Sequence, residues 1–155
     1  MGNAYKALGN TEKAITCYLK AIELRPNYAG VYYNLGNVFK NKGHFNKATQ
    51  NYRKAISLNP HYAEAYNNMG NALKGQGKLD EAIENYTKAF SLKPDYADAF
   101  GNVGNILQEQ GKLDEAIEAY KKAISLDPHH ALAYNHMAVV LQDQGKFDFQ
   151  LLHNL

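Results

Sequence analysis

Residues 63–96 read AEAYNNMGNALKGQGKLDEAIENYTKAFSLKPDY, and the spacing within this block decides the fold. Ala65, Tyr66, Met69, Gly70, Ala72 and Leu73 are apolar or small residues at helical three- and four-residue intervals. Gly75 and Gly77 interrupt the pattern, and Gly77 can adopt the positive φ that ends a helix. A second stripe follows at Ala82, Ile83, Tyr86, Ala89, Phe90 and Leu92. Asp80 and Glu81 stand at its start, where carboxylates meet free backbone N–H groups. Pro94 cannot continue that helix and turns Lys93 away from helical angles. The block predicts helix, short turn, helix, turn.

The same landmarks return every 34 residues. Proline stands at Pro26, Pro60, Pro94 and Pro128, and glycine at Gly2, Gly36, Gly70 and Gly104. A second glycine set is Gly9, Gly43, Gly77, Gly111 and Gly145. Alanine recurs at Ala14, Ala48, Ala82 and Ala116, and tyrosine at Tyr18, Tyr52, Tyr86 and Tyr120. Such a period marks a solenoid of stacked helix pairs rather than a globule around one core. Whole repeats are expected at 29–62, 63–96 and 97–130, within a single array over 1–155. Residues 1–28 fit the latter part of a repeat, and 131–155 fit the start of another followed by a divergent tail. An array of this kind offers a long surface to a partner and rarely a catalytic pocket.

Small residues set the packing. Gly70 and Ala82 fall where the two helices of one repeat must approach, and Ala89 where the next repeat arrives. Tyr66 and Tyr86 fill the space between, and Tyr28, Tyr62 and Tyr96 are expected to pack between repeats. Glu84 with Lys88 and Glu118 with Lys122 are i,i+4 pairs on exposed faces, each contributing about 0.2–0.5 kcal/mol.

The frame formed by Tyr66, Met69, Gly70, Leu73, Ala82, Tyr86, Ala89 and Pro94 resembles that of the tetratricopeptide repeat (TPR) family. It recurs from Tyr32 to Pro60 and from Phe100 to Pro128. The resemblance implies an all-α, right-handed superhelical solenoid of antiparallel helix pairs, whose first helices line a concave groove. At the ends the pattern is unfinished. Ala138 replaces the usual glycine and Gln150 the usual alanine, and the tail FDFQLLHNL lacks the polar capping face that terminal repeats need. A piece of a longer array is the favoured expectation, with ends covered by a partner or another copy as the alternative.

Whole-chain composition bounds the function. The chain has 155 residues, 45% hydrophobic and 21% charged, which argues against wholesale disorder. A net charge of +2 gives no reason to expect nucleic acid or an anionic membrane as the partner. No apolar run approaches the roughly 20 residues of a membrane helix, and no signal peptide is visible. The single Cys17 excludes an intrachain disulfide, so a reducing, cytoplasmic setting is expected.

Asparagine recurs on a helix face that is not the apolar stripe. One set is Asn34, Asn68 and Asn102, continued by His136; the other is Asn3, Asn37, Asn71 and Asn105. The two sets share one helix face in each repeat, and the TPR resemblance turns that face into the groove. Asparagine is a poor helix former in an interior position. Its carboxamide carries a donor and an acceptor, so a ladder of them could hold an extended peptide by its backbone. The alternative is that these side chains bond one another or neighbouring helices and tie the repeats together. The sequences NLGN, NMGN and NVGN are similar to the asparagine pattern in the TPR arm of O-GlcNAc transferases, which contacts peptide backbone. A different TPR mode, the co-chaperone clamp on a terminal carboxylate, needs groove cations; here the corresponding positions hold Tyr33, Asn67 and Gly101, and Gly30, Glu64 and Asp98.

Charge is uneven along the chain. Residues 29–62 contain five Lys or Arg and no acid, whereas 97–130 carry a net charge of −3. The gradient is either solvated surface or a device that orients a ligand or favours head-to-tail association. Lys40 and Lys74 are groove candidates at one end, Gln108 and Glu109 at the other. No catalytic set, phosphate-binding loop or cofactor motif is visible. His129, His130 and His136 lack a carboxylate or thiol at metal-ligand spacing, and Cys17 lacks a base. The expected function is a non-catalytic interaction module that binds an extended segment of a protein or peptide, without cofactor or metal. Its groove residues would be Asn34, Asn37, Lys40, Asn68, Asn71, Lys74, Asn102, Asn105, Gln108 and His136. The alternatives are the recognition arm of an O-GlcNAc-transferase-like enzyme and a self-assembling scaffold.

Overall fold

The computed structural model describes residues 10–145. These residues form eight helices: α1 (Thr11–Leu24), α2 (Ala29–Asn41), α3 (Phe45–Leu58), α4 (Ala63–Gly75), α5 (Leu79–Leu92), α6 (Ala97–Glu109), α7 (Leu113–Leu126) and α8 (Ala131–Asp143). The chain divides into two compact units between Leu92 and Lys93. In the first, α2 pairs with α3 and α4 with α5, while α1 packs on α2, α3 on α4, and α2 touches α4. In the second, α7 packs against both α6 and α8, and α6 and α8 touch.

Two kinds of turn separate the helices. After α2, α4, α6 and α8 comes a glycine with positive φ: Gly43 (74°), Gly77 (76°), Gly111 (74°) and Gly145 (65°). Left-handed backbone is open to glycine at no steric cost, and it lets the Lys78 N–H bond back to the Leu73 carbonyl at 3.0 Å. After α3, α5 and α7 comes the proline turn, closed by Tyr62 N–H on Asn59 O, Tyr96 N–H on Lys93 O and His130 N–H on Asp127 O, each at 3.0–3.1 Å. Asp114 and Glu115 occupy the first turn of α7, but its N-cap residue Lys112 makes no side-chain cap bond. The carboxylates there act through their charge on the helix end.

Each complete pair is closed by a glycine against a tyrosine. A Cβ at Gly36 would lie 2.7 Å from the ring of Tyr52, one at Gly70 2.5 Å from Tyr86, and one at Gly104 2.6 Å from Tyr120. Those distances are far inside van der Waals contact, so only glycine lets the two helices meet over the ring. Tyr52, Tyr86 and Tyr120 are fully buried, as are Ala48, Ala82 and Ala116. Gly75, which the helical pattern leaves unexplained, is also a contact: a Cβ there would meet the ring of Phe45 at 2.5 Å.

Two details depart from expectation. Glu118 pairs with Lys121 at 2.9 Å rather than with Lys122, whose ammonium lies 6.0 Å from the centre of the Phe100 ring. Tyr62 does pack between repeats, 4.9 Å from Tyr33. Tyr28 instead stays 54% exposed, with its ring against Gly30.

Candidate functional site

The asparagine face is built by the first helix of each pair, because the apolar stripe of that helix faces its partner. In unit 1, Val31, Leu35 and Val38 of α2 are buried, which leaves Asn34, Asn37 and Lys40 half-buried on an adjoining face. In α4 the same division buries Ala65, Met69 and Leu73 and presents Asn68, Asn71 and Lys74.

Most of these carboxamides are wired into a network. The Tyr52 hydroxyl donates to Asn37 Oδ1 at 2.7 Å, and the Tyr86 hydroxyl to Asn71 Oδ1 at 2.8 Å. Asn68 Nδ2 crosses from α4 to α2, donating to Asn37 Oδ1 at 2.9 Å and to the Tyr33 hydroxyl at 3.0 Å. Asn71 Nδ2 and the buried Asn67 Nδ2 both approach Asn68 Oδ1, at 3.5 and 3.4 Å. One chain of hydrogen bonds therefore links Tyr52, Asn37, Asn68, Asn71 and Tyr86 across two repeats. Asn34 makes no side-chain hydrogen bond among the described residues. Its counterpart of Asn37 would be Asn3, which lies outside them.

Unit 2 repeats the arrangement with a change of partner. The Tyr120 hydroxyl lies 2.9 Å from both Asn105 Oδ1 and Gln108 Oε1. His136 of α8 stacks on the Tyr120 ring, 5.9 Å between centres and 13° between planes. Asn105, Gln108 and His136 thus converge on one buried tyrosine, while Asn102 stands half-buried one turn earlier on α6. Burial raises the phenol of Tyr120 to about 12, with a smaller contribution from Glu109. It pushes Tyr52 up as well, and raises Tyr62 to about 12. All three hold their protons and can donate.

The histidines that cluster in sequence separate in function. His130 Nδ1 accepts from the Ala133 N–H at 3.2 Å and caps α8, so the ring proton belongs on Nε2. That nitrogen lies 3.1 Å from Asp98 Oδ1, within ion-pair reach but without a well-aligned hydrogen bond. Among the described residues no group of three or more His, Cys, Asp or Glu is gathered as metal ligands. A depression at the α2–α3 turn is lined by Gly43, His44, Phe45, Asn46, Lys47 and Gln76, and shares no residue with the asparagine network. No described helix is long and apolar enough to cross a membrane.

Residue-type recurrence missed the tyrosine partners of the asparagines. The signal was available in the period. Gly36, Asn37 and Tyr52 recur together as Gly70, Asn71 and Tyr86, and as Gly104, Asn105 and Tyr120. One period later all three change at once, to Ala138, Val139 and Asn154. Residues that change together form one unit, and the geometry of the complete pairs shows why.

Comparison with known proteins agrees with this architecture. The crystal structure of MamA superposes with a TM-score of 0.84 at 30% identity, covering 94% of this chain and 85% of that one. PilF of Pseudomonas aeruginosa matches with a TM-score of 0.85 at 28% identity, over 94% of this chain and 66% of its own. YrrB, described as a TPR protein with an unusual peptide-binding site, matches with a TM-score of 0.74 at 25% identity, over 95% of this chain and 76% of its own. No curated protein matches the chain significantly. The TPR repeat family model matches four times, at residues 2–43, 36–77, 70–111 and 104–145. With an all-α solenoid fold and these four matches, the chain belongs to the TPR repeat family.

Proposed function

We propose that the chain is a non-catalytic interaction module in which the asparagine face of each unit holds a stretch of partner polypeptide in extended conformation. The observation that carries this reading is the way Asn37 and Asn105 are held. In each, the carbonyl oxygen is engaged by a buried tyrosine hydroxyl on the other helix of the pair. The amide N–H groups are thereby aimed away from the tyrosine, as fixed donors for a peptide carbonyl. A donor whose rotamer is already set loses little entropy when a ligand arrives. Tying repeats together and binding a peptide are then compatible uses of one carboxamide. In unit 1 Asn34, Asn68 and Asn71 would extend the contact, with Lys40 and Lys74 at its margin; in unit 2 Asn102 would extend a contact of its own, with Gln108 and His136 at its margin. Structural likeness to YrrB, a TPR protein with a peptide-binding site, supports the same reading.

The test is an immobilised peptide library probed with the wild-type chain and with the N37D/N105D variant, which keeps an oxygen for each tyrosine hydroxyl and removes the amide donors. Wild type is expected to select a subset of peptides, and the double variant to lose them while retaining a cooperative thermal transition. Selection of the same peptides with equal affinity by the folded variant would overturn the reading.

A further inference from the structure

We infer that the exposed apolar face of α8, centred on Leu132 and Val139, docks a partner segment in which an apolar side chain is flanked by lysine or arginine. The inference rests on the peptide-binding reading above and specifies the class of segment that unit 2 would take. Helix α8 buries Ala133, Met137, Val140 and Leu141 in the core it shares with α7. Leu132 and Val139 are left 67% and 41% exposed. Two helical turns apart, they stand on one face with His136 between them.

The stack of His136 on Tyr120 fixes where that face lies, because the hydroxyl of the same tyrosine sits between Asn105 and Gln108. The apolar face of α8 therefore continues the carboxamide face of α6. At the positions of Leu132 and Val139, α6 has Asp98 and Asn105. A leucine and a valine left in water at these positions add nothing to the core among the described residues. They offer apolar surface to whatever lies along the face.

Charge selects the flanks. Helix α6 carries Asp98 and Glu109, α8 carries Asp143, all three exposed, and neither helix contains Lys or Arg. A segment with cations on either side of its apolar residue is attracted to this surface, and an acidic one is repelled.

Three short synthetic peptides on a Ser/Gly background test the inference by fluorescence anisotropy with the full chain. The first has one leucine flanked by arginines, the second serine in place of the leucine, and the third glutamate in place of the arginines. Wild type is expected to bind the first, and each of the others about tenfold more weakly or worse. Raising the salt concentration should weaken the first. A chain carrying Leu132→Ser and Val139→Asn should melt like wild type, since both side chains are exposed, and should no longer distinguish leucine from serine. A preference for leucine that survives in this variant, or equal binding of the glutamate peptide, would overturn the inference and leave the peptide-binding reading standing. Binding of none of the three also overturns it, while the library screen judges the peptide-binding reading separately.

Discussion

Helices α6 and α8 begin from nearly the same frame, ADAFGNVGNILQE and ALAYNHMAVVLQD, and end in different roles. In α6 the central Gly104 and Asn105 receive Tyr120 of α7, the glycine by making room for the ring and the asparagine by accepting its hydroxyl. In α8 the same positions are Ala138 and Val139, and the residue one period after Tyr120 is Asn154. Where the tyrosine is present, the glycine and the asparagine are needed. Where it is replaced, alanine is the better helix former and valine is free to face outward. The contrast separates what the asparagine face needs for packing from what it has left for a partner.

The largest expected effect breaks the unit at its centre. Tyr120→Ala removes a fully buried aromatic ring and should cost about 3–5 kcal/mol in urea denaturation. Gly104→Ala places a methyl group 2.6 Å from that ring. Overpacking of this kind costs about 1–3 kcal/mol, against about 1 kcal/mol returned by alanine's helix propensity. The two changes should couple strongly. With Tyr120 already alanine the obstruction is gone, and Gly104→Ala should become stabilising, as the natural Ala138 suggests. A Gly104→Ala cost that is unchanged in the Tyr120→Ala background would show that the ring is not what excludes a side chain.

A smaller effect separates unit 1 from unit 2. Asn37→Val leaves the Tyr52 hydroxyl without its acceptor and removes one of the two groups to which Asn68 Nδ2 donates. The residue at the position of Gln108 is Lys40, which has no acceptor to offer. Leaving buried donors unsatisfied should cost about 1–3 kcal/mol. Asn105→Val should cost less, about 1 kcal/mol, because Gln108 Oε1 already stands 2.9 Å from the Tyr120 hydroxyl. Parallel denaturation of the two variants measures the difference. Equal costs would mean that Gln108 does not take over.

The order of these effects follows what the sequence could and could not convey. Helix pairs and their turns are legible because the constraint on each residue is local. Gly43, Gly77, Gly111 and Gly145 must have positive φ, the prolines must end helices, and the apolar stripes must recur at helical spacing. The partner of Asn37 is harder to read, since Tyr52 is 15 residues away on another helix and only the fold brings them together. Gly75 is similar. Its cause is the ring of Phe45, from the preceding helix pair. The asparagines could be seen to need a reason; the choice between bonding within the fold and bonding a ligand depends on which atoms of the carboxamide are engaged. Leu132 and Val139 show the reverse case. Their divergence from the frame is plain in the sequence, but only their exposure shows that they are not simply core.

The last expected effect is a slope with pH, flat near neutrality and steeper in alkali. Burial raises the Tyr120 phenol to about 12, whereas in the unfolded chain it ionises near 10. Below that lower value both states hold the proton, and the stabilising difference is fully present. Between about 10 and 12 the unfolded chain releases its proton while the folded chain retains it, so stability falls with rising pH until the folded-state value is passed. Tyr52 and Tyr62 shift in the same direction for the same main cause and add to the slope. Tyr120→Phe keeps the ring over Gly104 but has no proton to lose. Its stability should decline less steeply than wild type across this range, at the cost of one hydrogen bond at pH 7, about 1 kcal/mol. Urea midpoints measured from pH 7 to 12 would show two curves that approach each other. Parallel curves would mean that the hydroxyl is not shielded from water between Asn105 and Gln108, and that the asparagine is held less firmly than the geometry indicates.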